Sequence, residues 1–340
     1  MDRLRILTWH VHGSYLDSLV RTGHDFYLPV LPDGSGGRGD WGWPDTVHEV
    51  PAEDVRGLDV DVVLYQSERN WIEAPRILSE RQLSGPRIFV EHDPPRQSPT
   101  ETRHPVDDPN VLLVHVTAFN ELMWDSGRTP TRVIEHGVPR PDARYVGDLA
   151  RGIVVVNNLR SRGRRLGLDV FERARAEIPL DLVGMDAAAV GGLGEVRRDD
   201  LAALEARYRF FFHPIRYTSF GMAVCEAMMV GLPVVALATT EMPTVIENGV
   251  SGLIDTSVDR LIDGMRALLD DVELARTLGD RGREVAVERF SMERFARDWD
   301  AAFREVSGRS PERTVAGVGL AEVGTGGAAD GGSAAAGARR

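Results

Sequence analysis

The sequence predicts an α/β protein built as two domains, and three observations carry that reading. Short apolar runs of strand type alternate with segments of helical periodicity along most of the chain. There are 340 residues, 42% of them hydrophobic, enough for two ordinary cores. The stretch from Tyr217 to Ala236 reads in turn as polar loop, apolar helix, tight stop and strand. Gly231 with Pro233 just beyond is the stop, and Leu232 to Leu237 is apolar throughout, as in a strand buried on both faces.

In chain order, Leu4 to Trp9 is the first strand, followed by His10-Val11-His12-Gly13-Ser14 and a short helix through about Arg21. Open α/β sheets bind ligands at such carboxyl ends. No G-x-G-x-x-G follows, so the dinucleotide fingerprint of a dehydrogenase is absent. Asp33 to Asp40 is glycine-rich but lacks the Lys-Ser/Thr pair of a phosphate loop, and it reads as a flexible surface loop. Trp41 and Trp43 beside it either anchor that loop or offer a stacking face. Asp61 to Gln66 and Arg87 to Val90 are further strands. The second ends in Glu91-His92-Asp93-Pro94-Pro95, a polar cluster that either caps a turn or places His92 in a cleft. Gln97 to Asn110, rich in proline and charge, reads as a mobile loop. Val111 to Val116 resumes the sheet, with His115 as a core or edge histidine. Pro139-Arg140-Pro141-Asp142 reads as a linker.

Gly152 to Val156 opens the second domain and leads into the basic turn Asn157 to Gly167. Asp169 to Ala176 is helical, Leu180 to Gly184 is a strand and turn, and a helix from Asp199 to Tyr208 precedes the strand Phe210-Phe211-Phe212. In the apolar helix after Phe220-Gly221, one residue breaks the pattern: Glu226. Charge is poorly solvated in an interior, so this carboxyl needs either an arginine in a buried ion pair or the hydroxyls of a polar ligand. Helices follow over Val258 to Asp270 and about Val272 to Val287. Phe290, Phe295, Trp299 and Phe303 mark the apolar stripe of a last amphipathic helix. From Gly308 onward, Gly, Ala, Ser and Arg without periodicity predict a disordered tail.

Composition narrows the function. A formal net charge of −12 argues against general nucleic-acid binding. The chain contains no lysine, so any phosphate clamp must use arginine, histidine and backbone amides. The single cysteine, Cys225, excludes an intrachain disulfide and reads as a buried, inert thiol. No signal-peptide core and no bilayer-length apolar run is present, which predicts a cytoplasmic protein without a transmembrane segment. There is neither a zinc-type His/Cys spacing nor a D-x-D pair placed for a nucleotide-bound cation, so no metal site is expected.

Ser219-Phe220-Gly221, Glu226-Ala227-Met228, Gly231-Leu232-Pro233-Val234-Val235 and the run Glu241 to Leu253 together resemble the donor-binding half of GT-B glycosyltransferases of the GT4-like family (glycosyltransferase group 1). That resemblance implies two Rossmann-like domains facing across a cleft: an acceptor-side domain over residues 1–145 and a donor domain over 150–288. It also implies a helix over 289–306 that crosses back to the first domain, ahead of the tail at 308–340. By resemblance Glu226 binds ribose, while Ser219, Phe220, Gly221 and Met222 cradle donor sugar and diphosphate. Arg160 and Arg165, at the family's five-residue spacing of an arginine and a lysine, bind the diphosphate; Arg164 is an alternative because the following glycine, Gly167, comes one residue late. Gly13 matches the family's shortened glycine turn, and His92 matches its cleft histidine. Two departures stand out. Thr218 occupies the position, eight before Glu226, of the family's sugar-binding glutamate, and His136 replaces the asparagine of the family's Asn-Gly turn.

The implied activity is retaining, metal-independent transfer of a sugar from a UDP- or GDP-sugar to a small-molecule or glycan acceptor, with no cofactor and no nucleic-acid partner. His92, Arg160 and Arg165 are the catalytic candidates. Two other functions fit the same residues: a sugar-nucleotide-binding protein with little or no catalysis, and a GT-B epimerase or hydrolase of nucleotide sugars. Oligomeric state is left open.

Overall fold

A computed structural model describes residues 2–309. The tail expected to be disordered falls outside the described residues except for Gly308 and Arg309.

Seven parallel strands form the first sheet: β1 (Arg5–Thr8), β2 (Asp25–Val30), β3 (Val47–Pro51), β4 (Val62–Tyr65), β5 (Arg87–Glu91), β6 (Val111–His115) and β7 (Thr131–Val133). Their spatial order is β3-β2-β1-β4-β5-β6-β7, so the order reverses between β1 and β4. Both faces are covered, as parallel sheets require. Along β1 Ile6 faces one apolar layer and Leu7 the other, following the two-residue side-chain period of a strand.

The second sheet contains β8 (Leu149–Val155), β9 (Leu180–Val183), β10 (Tyr208–His213), β11 (Val234–Leu237) and β12 (Leu253–Asp255), in the order β12-β11-β10-β8-β9. All pairings are parallel. Here the order reverses between β8 and β10. By the general rule for open sheets, ligands bind beyond the carboxyl ends of strands at such switch points.

Contacts between the domains come from those carboxyl ends. The Tyr217 hydroxyl, after β10, donates to the Pro95 carbonyl, after β5, at 2.8 Å. Arg198 reaches Asp17 at 2.7 Å, and the Phe119 amide donates to Glu241 at 2.7 Å. The two sheets therefore present their ligand-binding ends to one another, which is the GT-B arrangement of two Rossmann-like domains.

The last helix, Met292–Ser307, crosses back. Ser291 caps it, and Phe295, Trp299, Ala302 and Phe303 are all fully buried against first-domain residues including Leu4, Ile6 and Phe26. Burial of such side chains contributes roughly 1.5–3 kcal/mol each, enough to tie the chain's end to its beginning. The aromatic stripe is packing, as its spacing predicts.

Some expectations change. Trp43 is buried and Trp41 stacks on it at 5.8 Å, so both anchor the glycine-rich loop. That loop is tied down where Arg38 donates to the Trp43 and Val47 carbonyls. Gln97 to Asn110, read as a mobile loop, is pinned in its second half by His104, which is buried and hydrogen-bonds Glu91 at 3.2 Å. Cys225 is fully buried and burial raises its thiol pKa, as an inert thiol requires.

Candidate functional site

The cleft is lined from the second domain by the segment after β10 and by the helix Met222–Val230. Gly221 precedes that helix in extended conformation, and the helix's own ladder starts at the Val224 amide, which donates to the Gly221 carbonyl at 3.0 Å. The Met222 and Ala223 amides thus lie outside the ladder, at a helix end that favours anions. A Cβ placed on Gly221 would meet no atom within 4 Å. Its φ of −73° suits any residue, so neither packing nor backbone conformation demands glycine there.

Glu226 is half-buried on this helix and makes no hydrogen bond or ion pair among the described residues. Burial pushes its carboxyl up to about 7; the positive charge of Arg198 opposes this and the negative charge of Asp17 adds to it. The ion-pair alternative is not realised, because Arg198 pairs instead with Asp17 and lies 4.5 Å over the Trp41 ring. What remains is an acceptor pair open to hydroxyl donors.

The other predicted residues divide. Phe220 is buried and stacked on Phe290 at 5.4 Å, and its carbonyl accepts from His136 Nε2 at 2.7 Å. The Ser219 hydroxyl is buried without a partner. Thr218 is partly exposed. Arg165 donates to the Tyr217 carbonyl at 3.3 Å, and its own carbonyl accepts from the Tyr217 amide, so it is stitched to the donor segment. Arg160 donates to the Ala189 carbonyl at 3.0 Å, and Arg164 pairs with Asp169 at 2.6 Å. Gly167 arrives one residue late because a turn of 3-10 helix fills Gly163–Leu166; its φ is +80°, and a Cβ would lie 1.9 Å from the Pro214 carbonyl oxygen.

From the first domain, Gly13 starts the helix after β1. The Trp41 ring lies against it where a Cβ would stand 2.3 Å away. His92 sits in a nest of rings, 4.2 Å from His12 and 4.6 Å from Tyr15. Its Nε2 is buried without a partner, and burial, aided by His12 and His136, holds its pKa well below the usual histidine range. His12 is lowered by burial too; Asp93 and Glu91 counter this, while the charges of Arg96 and Arg162 reinforce it. Arg165 is lowered by burial and by Arg96 and Arg162, against Asp93. Arg96 and Arg162 therefore lie close to both His12 and Arg165, with Asp93 as the counter-charge common to the two. Among the described residues no cluster of three His, Cys, Asp or Glu side chains suits a metal ion.

Residues 153–271 match the family model of the Glycosyl transferases group 1. That match lies within the second domain. The chain is also 30% identical over 112 residues to N-acetyl-α-D-glucosaminyl L-malate synthase of Bacillus anthracis, covering 32% of this chain and 29% of that protein. It thus spans less than a third of the length of this curated relative. Among solved structures, sucrose-phosphate synthase from Thermosynechococcus elongatus superposes with a TM-score of 0.68 at 17% identity, over 91% of this chain and all of that one. Anabaena HepE, in complex with UDP and glucose, gives 0.64 at 14% identity, over 89% of this chain and 100% of that one. At such identities these likenesses show the GT-B fold alone.

Arg162, close to His12 and Arg165, and Arg198, close to Glu226, are not singled out by the sequence. Arg162 sat inside a run of four arginines with no local mark to separate it. Arg198 acquires its place only through Asp17 and Trp41, distant in the chain.

Proposed function

We propose that the cleft binds a nucleotide-sugar donor and that the protein transfers its sugar, with retained anomeric configuration and without a metal ion, to an acceptor held by the first domain. The observation that carries this reading is Glu226. Its carboxyl is half-buried and has no protein partner, yet it stands on the helix whose amino end opens on the cleft. A vicinal diol such as that of ribose supplies the two hydroxyl donors the carboxyl lacks.

Support for the rest comes from the chain's own groups. Arg165, joined by Arg162, meets the diphosphate with guanidinium forks that donate to phosphate oxygens in pairs. Ser219 and the amides at Gly221 and Met222 supply further donors toward the same oxygens. These fixed charges stabilise the departing nucleotide diphosphate as its bond to the anomeric carbon breaks, which is electrostatic catalysis by pre-set groups. The acceptor hydroxyl attacks from the face the diphosphate leaves, and a phosphate oxygen takes its proton. His92, neutral and lodged among His12 and Tyr15, shapes the sugar's side of the cleft. HepE's bound UDP favours a uridine donor, with GDP-sugars next to be tried. Arg160 is the weaker diphosphate ligand because its guanidinium is engaged at Ala189.

The test is product analysis by proton NMR in EDTA, with UDP- and GDP-sugars and a panel of small hydroxylated acceptors. The α-donor should give an α-glycoside, and Arg165→Ala should lower turnover at least tenfold. An inverted product, or a reaction abolished by EDTA, contradicts the proposal.

A further inference from the structure

The turn at His136 was marked only by having histidine where the family has asparagine, and the function above assigns it nothing. His136 lies after β7 in the first domain, is 6% exposed, and reaches across the cleft to the Phe220 carbonyl at 2.7 Å. A carbonyl oxygen only accepts, so Nε2 carries the proton. The ring is neutral at physiological pH, because burial, with Arg294 nearby, pushes its pKa down to about 4 against the opposing pull of Phe220 and Glu135. The remaining nitrogen, Nδ1, is buried with no partner. A buried unpaired acceptor is unfavourable, so this imidazole is a poor choice for stability alone.

Its surroundings are rigid. Arg294 of the crossover helix donates to the carbonyls of both Glu135 and His136, and Arg289 pairs with Glu135. The Val138 amide donates to the Phe290 carbonyl at 2.9 Å, and Phe290 stacks under Phe220. In a trans peptide the carbonyl and the following N–H point in opposite directions. Holding the Phe220 carbonyl toward His136 therefore turns the Gly221 N–H away from it, and that N–H finds no acceptor among the described residues.

We propose that His136 is a positioning residue: its Nε2–H grips the Phe220 carbonyl from the opposite domain and so fixes the Phe220–Gly221 peptide with the Gly221 N–H presented to the donor diphosphate. The diphosphate part rests on the function proposed above. Because one hydrogen bond links the donor segment to the turn clamped by the crossover helix, donor binding depends on the two domains being docked.

The experiment compares wild type with His136→Gln, which keeps an N–H donor, and His136→Phe, which keeps a flat ring without one. UDP and GDP are titrated by calorimetry, and amide exchange of the 219–224 segment is followed in the nucleotide-free protein, with melting temperature as the control for folding. His136→Phe should weaken nucleotide binding about tenfold, the effect of losing one buried hydrogen bond, and should speed exchange in the segment. His136→Gln should recover most of both. If His136→Phe folds and matches wild type in exchange, or if Gln and Phe behave alike, the proposal is wrong. If wild type binds neither nucleotide, the donor reading fails on its own, and exchange still decides whether His136 holds the segment.

Discussion

Glu226 is where the proposed function carries a cost in stability. An acid whose folded pKa lies near 7, against an ordinary value of 4.5, stays protonated in the folded protein after the unfolded chain has ionised. Stability is therefore lost as pH rises from 4.5 to 7, and the deficit is complete above 7. Glu226→Gln removes this penalty. The free variant should melt at a higher temperature than wild type at pH 8 and at a similar one near pH 4, as differential scanning fluorimetry would read. The same substitution replaces a charged acceptor and should weaken donor binding about tenfold or more. Opposite signs on stability and binding would mark a residue kept for its ligand. This residue was legible in the sequence because a lone carboxylate in an apolar helix is conspicuous. Arg162 and Arg198 were not, since a surface arginine looks the same whether it faces a cleft or bulk water.

The decisive element is the junction of the Tyr217–Gly221 loop with the helix Met222–Val230. Open space over the Gly221 Cα predicts that Gly221→Ser folds normally: serine is a good N-cap and its side chain has room. The melting temperature should be unchanged or slightly raised. Nucleotide affinity, measured by calorimetry, should fall at least tenfold because the new side chain occupies the diphosphate's approach. Elements with strong local signals were readable in advance, including this helix with its Gly231-Pro233 stop and the aromatic stripe of the crossover helix. β2 and β3 were not. Pro29 lies within β2, and the glycine-rich loop between the two strands obscures their pairing. The helix Glu68–Ile77 carries Pro75 and buries Asn70 and Ala74 rather than large apolar side chains, so its core face leaves little mark in the sequence.

Across the molecule, three histidines are held neutral by burial, and one of them, His136, bridges the two domains. Burial pushes His115 down to about 3 and both His136 and His213 down to about 4. The unfolded chain protonates these rings from about 6.5 downward while the folded protein does not, so stability is full above 6.5 and falls as pH drops toward 4. Each ring costs about 1.4 kcal/mol per pH unit over that window. Between pH 7 and pH 5 the loss from the rings is opposed by the gain from Glu226, so the rings' share is read from the loss in urea unfolding of wild type compared with that of His136→Gln. His136→Gln should reduce it by one ring's share. The two-domain plan was visible from alternating strands and helices, whereas the inter-domain contacts were not, since Asp17 and Arg198, or His136 and Phe220, meet only through tertiary structure.

The most direct test of the central claim is a thermal-shift titration of UDP, GDP and their sugar conjugates in EDTA, on wild type and Glu226→Ala. Binding raises the melting temperature by mass action. The account predicts a selective rise with one nucleotide family in wild type, maintained in EDTA and lost in Glu226→Ala. No rise with any nucleotide, or an equal rise in both proteins, would contradict it.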